Sequence, residues 1–239
     1  MGQAAHAAQI ISNLERAHPA INDEALRADA IQALSIKGDT DKKRKASRYH
    51  RDGLIFEAIS WAAAQQSTDG KALLRDPHIK STTQGLDGLM IELDGQQTAI
   101  SRATIFEDKC SEDPRRMFRD EIMAAFLTYH RKSRASELLA AAAALLEKAG
   151  MRGTNAIEAA SRVLDMGFRA YRGSLAITPE DDSRERCNHI FKDYENLDGI
   201  AAAQRIGGVF VTANDLRAWF DDLAKCAIAY ITKLGSGDG

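Results

Sequence analysis

The sequence predicts an α/β fold, helix-rich overall, in which helices flank a small mixed central sheet. Short apolar or alternating stretches at 86–109, 171–178 and 205–212 are typical of β-strands. Long Ala- and Leu-rich patterns with helical spacing occur between these stretches. Strand and helix patterns that alternate along one chain favour a layered α/β architecture.

The composition is that of an ordinary globular protein. Of the 239 residues, 44% are hydrophobic and 28% are charged, and the formal net charge is -2. This charge gives no global attraction to nucleic acid or to an anionic membrane, so any basic surface must be local. No stretch approaches the roughly 18 apolar residues that cross a bilayer, and the N-terminus lacks the pattern of an export signal. The three cysteines are far apart and lack zinc-binding spacing, which suits a reducing cytoplasm. We expect a cytoplasmic protein with no membrane segment.

Residues 1–43 are predicted to form an N-terminal helical appendage, and residues 44–239 are predicted to form one main α/β domain. Two helices are expected within residues 1–36, the second of them starting after an N-cap at Asn22. A polar, basic run at 37–51 leads into the first core helix, which we expect to start near residue 44 or slightly later.

A β-hairpin is predicted next, with strands near 86–93 and 99–109, because an Asp-Gly pair between them is a turn signal. Residues at equal distances from the turn lie opposite each other on the two strands. Asp87, at the start of the first strand, therefore lies near Glu107, at the end of the second. A tight turn would leave these two residues slightly out of register. We therefore expect a longer loop or a β-bulge.

Side chains alternate along the second strand of this hairpin, so Glu107 and Lys109 share one face. Asp108 points to the other face and contributes only its backbone to the first. The sequence therefore predicts that Asp87, Glu107 and Lys109 meet in one place.

Beyond the hairpin, the pattern predicts three further helical segments and two strands. Asp113-Pro114 offers an N-cap followed by proline at the first helical position, and the long helical pattern that follows ends at Gly150. The other predicted elements are a helix at about 154–170, strands at 171–178 and 205–212, and a closing helix at 214–234.

The chemistry of the hairpin residues points to a metal. The carboxylates of Asp87 and Glu107 repel each other unless a positive charge lies between them, and Mg²⁺ prefers oxygen ligands of this kind. With Lys109 beside the metal, such a site can activate water and stabilise charge on a phosphate, which predicts phosphodiester hydrolysis. The alternative is a surface strand with ordinary charges, in which Lys109 only pairs with Glu107. Ile105 and Phe106 count against this alternative because they indicate a buried strand, where unpaired charges are costly.

Two short motifs resemble a known family. GLDG at 85–88 and IFEDK at 105–109 resemble the motifs of the PD-(D/E)XK nuclease superfamily, which includes restriction endonucleases. The order of helix, hairpin, helix and strand is also similar to the core of that superfamily, and the resemblance covers about residues 50 to 180. The sequence departs from the family pattern in having no proline before Asp87.

The resemblance implies a restriction-endonuclease-like core within residues 44–239 and a Mg²⁺ cofactor, with Mn²⁺ as the alternative metal. DNA is the expected substrate, and RNA stays open as an alternative that the sequence does not separate from it. The resemblance also implies that Asp87 and Glu107 are the metal-binding carboxylates and that Lys109 is the catalytic lysine. In many nucleases of this superfamily a glutamate on the preceding helix joins the metal site, and Glu57 is the matching residue here. The alternative for Glu57 is pairing with a nearby Arg or Lys.

Two groups of basic residues are candidates for nucleic-acid binding. Arg115 and Arg119 share a face at the start of a helix, where cations are disfavoured unless something negative, such as phosphate, is close. Lys43 and Arg44 belong to the basic run before the core helix and could follow a phosphate backbone. The alternatives are pairing with acidic neighbours for the first group and a solvated helix face for the second.

The chain length, the Ala- and Leu-rich helix after the motif and the terminal helix with Trp219 look similar to nuclease subunits of bacterial antiphage systems of the Hachiman kind. This similarity implies a role in antiphage defence and a helicase subunit as partner. A different class of function stays open, namely a non-catalytic module that keeps the nuclease fold and binds nucleic acid or protein. ATP hydrolysis, dinucleotide redox chemistry, zinc proteolysis and serine hydrolysis have no motif support.

Overall fold

The described residues of the computed structural model form two compact units. The described ranges are 23–68, 72–77, 85–213 and 215–235. The first unit contains residues 23–55 and 215–235, and the second contains residues 56–68, 72–77 and 85–213.

Eight α-helices and five strands make up the described part of the chain. The helices are α1 (Asp23–Leu34), α2 (Asp41–Ser67), α3 (Pro114–Met117), α4 (Met123–His130), α5 (Ala135–Lys148), α6 (Thr154–Ser161), α7 (Arg184–Ile190) and α8 (Leu216–Gly235). The strands are β1 (Leu73–Leu74), β2 (Gly88–Leu93), β3 (Ile100–Cys110), β4 (Arg169–Ile177) and β5 (Arg205–Val211). A π-helical turn, Phe118–Ile122, joins α3 to α4.

The five strands form one sheet, in the order β1-β2-β3-β4-β5. The first three strands pair in antiparallel fashion, whereas β4 runs parallel to both of its neighbours. The sheet is therefore mixed and flanked by helices, which confirms the predicted α/β class. The restriction-endonuclease-like core stays a prediction.

Both faces of the sheet are covered in the second unit. Nearly every residue of β4 is buried, as expected for a strand between two parallel neighbours. Tyr171 on one face packs against Phe126 of α4, with ring centroids 5.2 Å apart. On the other face Phe210 contacts Phe56 of α2. The helix that carries Glu57 thus covers the face opposite to α4.

The first unit holds a buried charged network between α2 and α8. The carboxylate of Asp52 is fully buried and accepts from Arg51 at 2.6 Å and from Arg217 at 2.6 Å. Arg51 also pairs with Asp221. Buried charges of this kind persist only when they are paired, so the network fixes the register of α2 against α8.

Several predicted boundaries differ from the observed ones. The predicted long helix is interrupted at residues 131–134, where Lys132 has a positive φ of 61°, and resumes as α5. The helix predicted at 154–170 ends earlier, because short 3₁₀ turns lead into β4 at Arg169. The sequence did not predict the short helix α7.

The N-terminal predictions have mixed outcomes. The helix expected after Asn22 is present as α1, while its N-cap and the helix before it lie outside the described residues. The compact units group residues 44–55 and 215–235 with the N-terminal segment, whereas the sequence assigned them to the main domain. The appendage at residues 1–43 stays a prediction. None of the helices in the described ranges combines the length and apolar character needed to cross a bilayer.

Candidate active site

The register of the hairpin places the two predicted carboxylates opposite each other. Gly88 pairs with Phe106 and Glu92 pairs with Arg102, and the register shifts between Glu92 and Leu93. This irregularity and the loop between Asp94 and Ala99, which is longer than a two-residue turn, together absorb the offset for which the sequence predicted a longer loop or a bulge. Extending the register by one residue beyond Gly88 places Asp87 opposite Glu107.

Lys109 joins the two carboxylates. Its Nζ lies 2.6 Å from Oδ2 of Asp87 and 3.1 Å from Oε2 of Glu107. Asp108 contributes its backbone, as the alternation predicted, because its N–H donates to Oδ2 of Asp87 at 3.2 Å. The structure therefore brings Asp87, Glu107 and Lys109 together at the end of the hairpin.

In this group two neighbouring carboxyl groups share one ammonium. Burial raises the pKa of Glu107, and the negative charge of Asp87 raises it further. Burial alone would lower the pKa of Lys109, but Glu107 and Asp87 outweigh that effect and raise it above its ordinary value. The ammonium of Lys109 therefore stays charged, and the raised pKa of Glu107 favours a proton on its carboxyl where no further cation lies beside it.

Contacts on the opposite face of the sheet anchor β3. The guanidinium of Arg172 lies 4.0 Å from the ring centre of Phe106, 3.7 Å from a carboxylate oxygen of Asp108, and within hydrogen-bonding distance of Ser60. Burial raises the pKa of Asp108 to about 6, although Arg172 opposes the shift. These contacts leave Glu107 and Lys109 on the other face, where the sequence predicted them.

Glu57 is not grouped with the hairpin carboxylates. It is buried on α2, and α2 contacts the face of β4 and β5 that carries Arg172 and Phe210. No cluster of three or more His, Cys, Asp or Glu side chains in the described ranges is arranged to hold a metal ion. A third metal ligand from Glu57 stays a prediction.

The arginines after the hairpin have protein partners. Arg115 donates to the carbonyls of Ile190 and Lys192, at 3.2 and 2.7 Å, and also pairs with Asp193. These contacts satisfy the carbonyl of Ile190 at the end of α7 and that of Lys192 just after it, which is a structural use of the guanidinium.

Arg119 also has an acidic neighbour. Its guanidinium binds both carboxylate oxygens of Asp120, at 2.6 and 2.9 Å, on an exposed surface. Pairing with an acidic neighbour, the alternative that the sequence left open, is thus observed for Arg119, whereas the acidic partner of Arg115 is Asp193, which is distant along the chain. Phosphate binding by Arg115 or Arg119 stays a prediction.

The other two basic candidates lie in the first unit. Lys43 pairs with Asp39 at 2.8 Å on the exposed surface of α2, and Arg44 is exposed. Exposed ion pairs of this kind contribute little to stability, so they leave Lys43 available for a ligand. A role for Lys43 and Arg44 in nucleic-acid binding stays a prediction.

Sequence reasoning missed four residues around Asp87. Glu137 accepts a hydrogen bond from the N–H of Leu86, and Arg75 donates to the carbonyl of Leu86. Arg134 pairs with Glu137 at 2.6 Å and lies over the ring of Tyr129. Glu137 is fifty-one positions from Leu86 along the chain, and no spacing rule links residues that only the fold brings together.

The donor set fits a hard divalent cation. Two carboxylates from adjacent positions in a sheet supply oxygen ligands, and their mutual repulsion is only partly offset by one ammonium. Mg²⁺ keeps several waters and commonly binds through one or two carboxylates. Asp87 and Glu107 are the residues that could hold such a cation.

Comparisons with protein-family models, with curated proteins and with solved structures find nothing that matches the chain. The resemblance to the PD-(D/E)XK superfamily stays a prediction.

Proposed function

We propose that this protein is a Mg²⁺-dependent deoxyribonuclease that hydrolyses phosphodiester bonds. The observation that carries the proposal is the contact of one ammonium, that of Lys109, with both Asp87 and Glu107. Two carboxylates and a lysine in one place supply what metal-dependent phosphodiester hydrolysis uses, namely ligands for a metal and a donor for a charged oxygen.

Each side chain has a defined task in this proposal. Asp87 and Glu107 hold the divalent cation, which when bound polarises a phosphate oxygen and lowers the pKa of a water molecule. Lys109 has three N–H donors and uses two of them on the carboxylates, so the third can bind a phosphate oxygen or orient the attacking water. The bond between phosphorus and the leaving oxygen breaks as water adds to phosphorus.

The wider setting is also a proposal. We infer a restriction-endonuclease-like core, a cytoplasmic location and a role in antiphage defence with a helicase subunit, on the basis of the motif at 105–109 and the similarity to Hachiman nuclease subunits. The net charge of -2 gives the whole molecule no attraction to DNA, so the proposal requires local basic contacts with DNA.

A cleavage assay tests the proposal directly. The full chain is incubated with plasmid and linear DNA in Mg²⁺, in Mn²⁺ or in a chelator, each with and without a helicase. The double variant Glu107→Ala/Lys109→Ala is expected to cleave at least about 100-fold more slowly than the wild type. Lys225→Ala is the matched control, since it removes only an exposed ion pair with Asp222. Equal cleavage by the wild type and the double variant contradicts the proposal.

A second candidate function is a non-catalytic nucleic-acid-binding module. The observation that favours it is that Lys109 already neutralises part of the carboxylate charge without a metal. This candidate predicts DNA binding that is insensitive to chelator and no cleavage in any condition. A gel-shift assay run beside the cleavage assay separates the two functions.

A further inference from the structure

The backbone immediately before Asp87 is held on two sides by charged side chains. The N–H of Leu86 donates to Oε1 of Glu137 at 3.0 Å. The carbonyl of Leu86 accepts from Nη1 of Arg75 at 2.6 Å. The side chain of Leu86 is fully buried in the hydrophobic core. Leu86 is therefore fixed by its side chain and by both of its backbone polar groups.

Glu137 is itself held in place. Its second carboxylate oxygen pairs with Nε of Arg134 at 2.6 Å, and the guanidinium of Arg134 lies 5.0 Å from the ring centre of Tyr129. Glu137 also lies in the first turn of α5, where the helix dipole favours a negative charge. These contacts direct one oxygen of Glu137 at the backbone of Leu86.

The chain next to Leu86 is shaped to admit this carboxylate. Gly85 has a φ of +149°, and a Cβ at that position would lie 3.0 Å from Oε1 of Glu137. A side chain there would crowd the carboxylate. A glycine at position 85 thus permits the close approach of Glu137.

Asp87 needs support of this kind because strand pairing does not fix it. The last ladder pair of β2 is Gly88 with Phe106, and Asp87 lies one residue outside the strand. Its carboxylate still makes a 2.6 Å contact with Lys109. Groups that orient a metal-binding side chain from behind commonly set the affinity of the site.

We propose that Glu137 and Arg75 are positioning residues, which hold the backbone of Leu86 so that the Asp87 carboxylate is ready to bind a divalent cation. This inference rests on the proposed function. It assigns to both residues an effect on metal affinity that goes beyond their contribution to folding.

The test compares variants that keep or remove one hydrogen bond. Glu137→Gln keeps an oxygen that can accept from Leu86, whereas Glu137→Ala removes it. Mn²⁺ binding to the full chain is measured by electron paramagnetic resonance without DNA, and cleavage kinetics are measured with DNA.

We expect Glu137→Ala to weaken Mn²⁺ binding by about 10-fold and to lower kcat by about as much, which is the usual effect of losing an outer-shell partner. The KM for DNA should change by less than about twofold, because Glu137 does not touch substrate in this proposal. Glu137→Gln should stay within about threefold of the wild type in both measurements. Lys225→Ala, which removes an i,i+3 ion pair like that of Arg134 with Glu137, should match the wild type.

The same comparison at Arg75 tests the hydrogen bond to the carbonyl of Leu86. It remains informative even if Glu137→Ala does not fold. Arg75→Ala is expected to weaken Mn²⁺ binding, and Arg75→Lys, which keeps an N–H donor, to restore most of it. Unchanged Mn²⁺ binding in both alanine variants overturns the inference, and so does an equal loss in the alanine and conservative variants.

Failure of the positioning role and failure of the proposed function give different results. If the wild type neither binds Mn²⁺ nor cleaves DNA, the nuclease proposal falls, and the inference falls with it. If the wild type binds Mn²⁺, Asp87→Ala abolishes that binding and Glu137→Ala and Arg75→Ala leave it intact, only the positioning role is wrong.

Discussion

Two buried tyrosines in the second unit differ in the hydrogen-bond partners of their hydroxyl groups. The hydroxyl of Tyr194 accepts from the N–H of Gly173 at 2.7 Å and donates to the carbonyl of Ile206 at 2.6 Å, so it bridges β4 and β5. The hydroxyl of Tyr129 is also buried, yet the described ranges contain no hydrogen-bond partner for it. Burial raises the pKa of both phenols, so both stay protonated at neutral pH.

This difference predicts opposite results for the same substitution. Tyr194→Phe should lower the free energy of unfolding by about 2 kcal/mol, because it leaves a buried N–H and a buried carbonyl without their partner. Tyr129→Phe should change the free energy of unfolding by less than about 1 kcal/mol, or raise it, because an unsatisfied hydroxyl is removed. Urea unfolding followed by circular dichroism measures both values.

Each variant serves as the control for the other, since both remove one oxygen from a buried aromatic ring. A loss of more than about 2 kcal/mol for Tyr129→Phe would show that its hydroxyl does have a strong partner. Equal losses for the two variants would contradict the hydrogen-bond pattern described above.

Among the secondary-structure elements, the hairpin could be predicted from the sequence, but the interruption of the long helix at residues 131–134 could not. The Asp-Gly turn and the alternation along β3 specify which side chains share a face, and the longer loop together with the register shift accounts for the offset of Asp87 from Glu107. The interruption before α5 has no glycine or proline to mark it. Lys132 takes the left-handed conformation there, and only tertiary packing determines such a position.

Part of the candidate site could also be predicted from the sequence, and part of it could not. The spacing of Glu107 and Lys109 on one strand is local and could be read from the sequence. The contacts of Arg115 with the end of α7, and of Glu137 with Leu86, join segments that are distant along the chain. The periodicity of a single sequence does not predict such contacts.

The hairpin also contains a position where only glycine fits. A Cβ added at Gly88 would lie 2.9 Å from Cδ2 of Phe106 and 3.1 Å from its Cβ, and Arg172 stacks on the same ring. Gly88→Ala should therefore lower the free energy of unfolding by about 1–3 kcal/mol, the usual cost of overpacking. It should also slow DNA cleavage, because the shifted strand carries Asp87 with it.

Gly95 in the turn of the same hairpin is the matched control. Nothing lies within 4 Å of a Cβ added there, so Gly95→Ala should change stability by less than about 0.5 kcal/mol. Thermal unfolding of both variants, beside the cleavage assay, makes the comparison. If the two substitutions have the same effect, the close approach of Phe106 to Gly88 does not constrain the hairpin.

For the protein as a whole, the proposed Mg²⁺ site predicts that metal binding is coupled to folding. A ligand that binds only the folded state stabilises the protein in proportion to the logarithm of its concentration relative to its Kd. The two carboxylates are assembled only by the folded hairpin, so Mg²⁺ should raise the midpoint of thermal unfolding of the wild type. Glu107→Gln should remove most of this increase, since it removes a charged ligand.

Lys109→Met should make this coupling larger. The ammonium of Lys109 lies 2.6 and 3.1 Å from the two carboxylates, and it repels an incoming cation while it neutralises them. Without it, the protein should be less stable in chelator by about 1–3 kcal/mol, because the carboxylates lose their charged hydrogen-bond donor. Tenfold tighter Mg²⁺ binding would then add about 1.4 kcal/mol of stabilisation at saturating Mg²⁺ relative to the wild type.

Thermal unfolding of the wild type, Lys109→Met and the exposed control Lys225→Met, each in chelator and in Mg²⁺, measures this effect. The Mg²⁺-dependent gain should be largest for Lys109→Met, while its DNA cleavage is lost because no donor for the phosphate oxygen remains. Equal gains for all three proteins would mean that the cation does not bind beside Lys109. Retained cleavage by Lys109→Met would mean that the lysine only balances charge, and the role assigned to it in hydrolysis would be wrong.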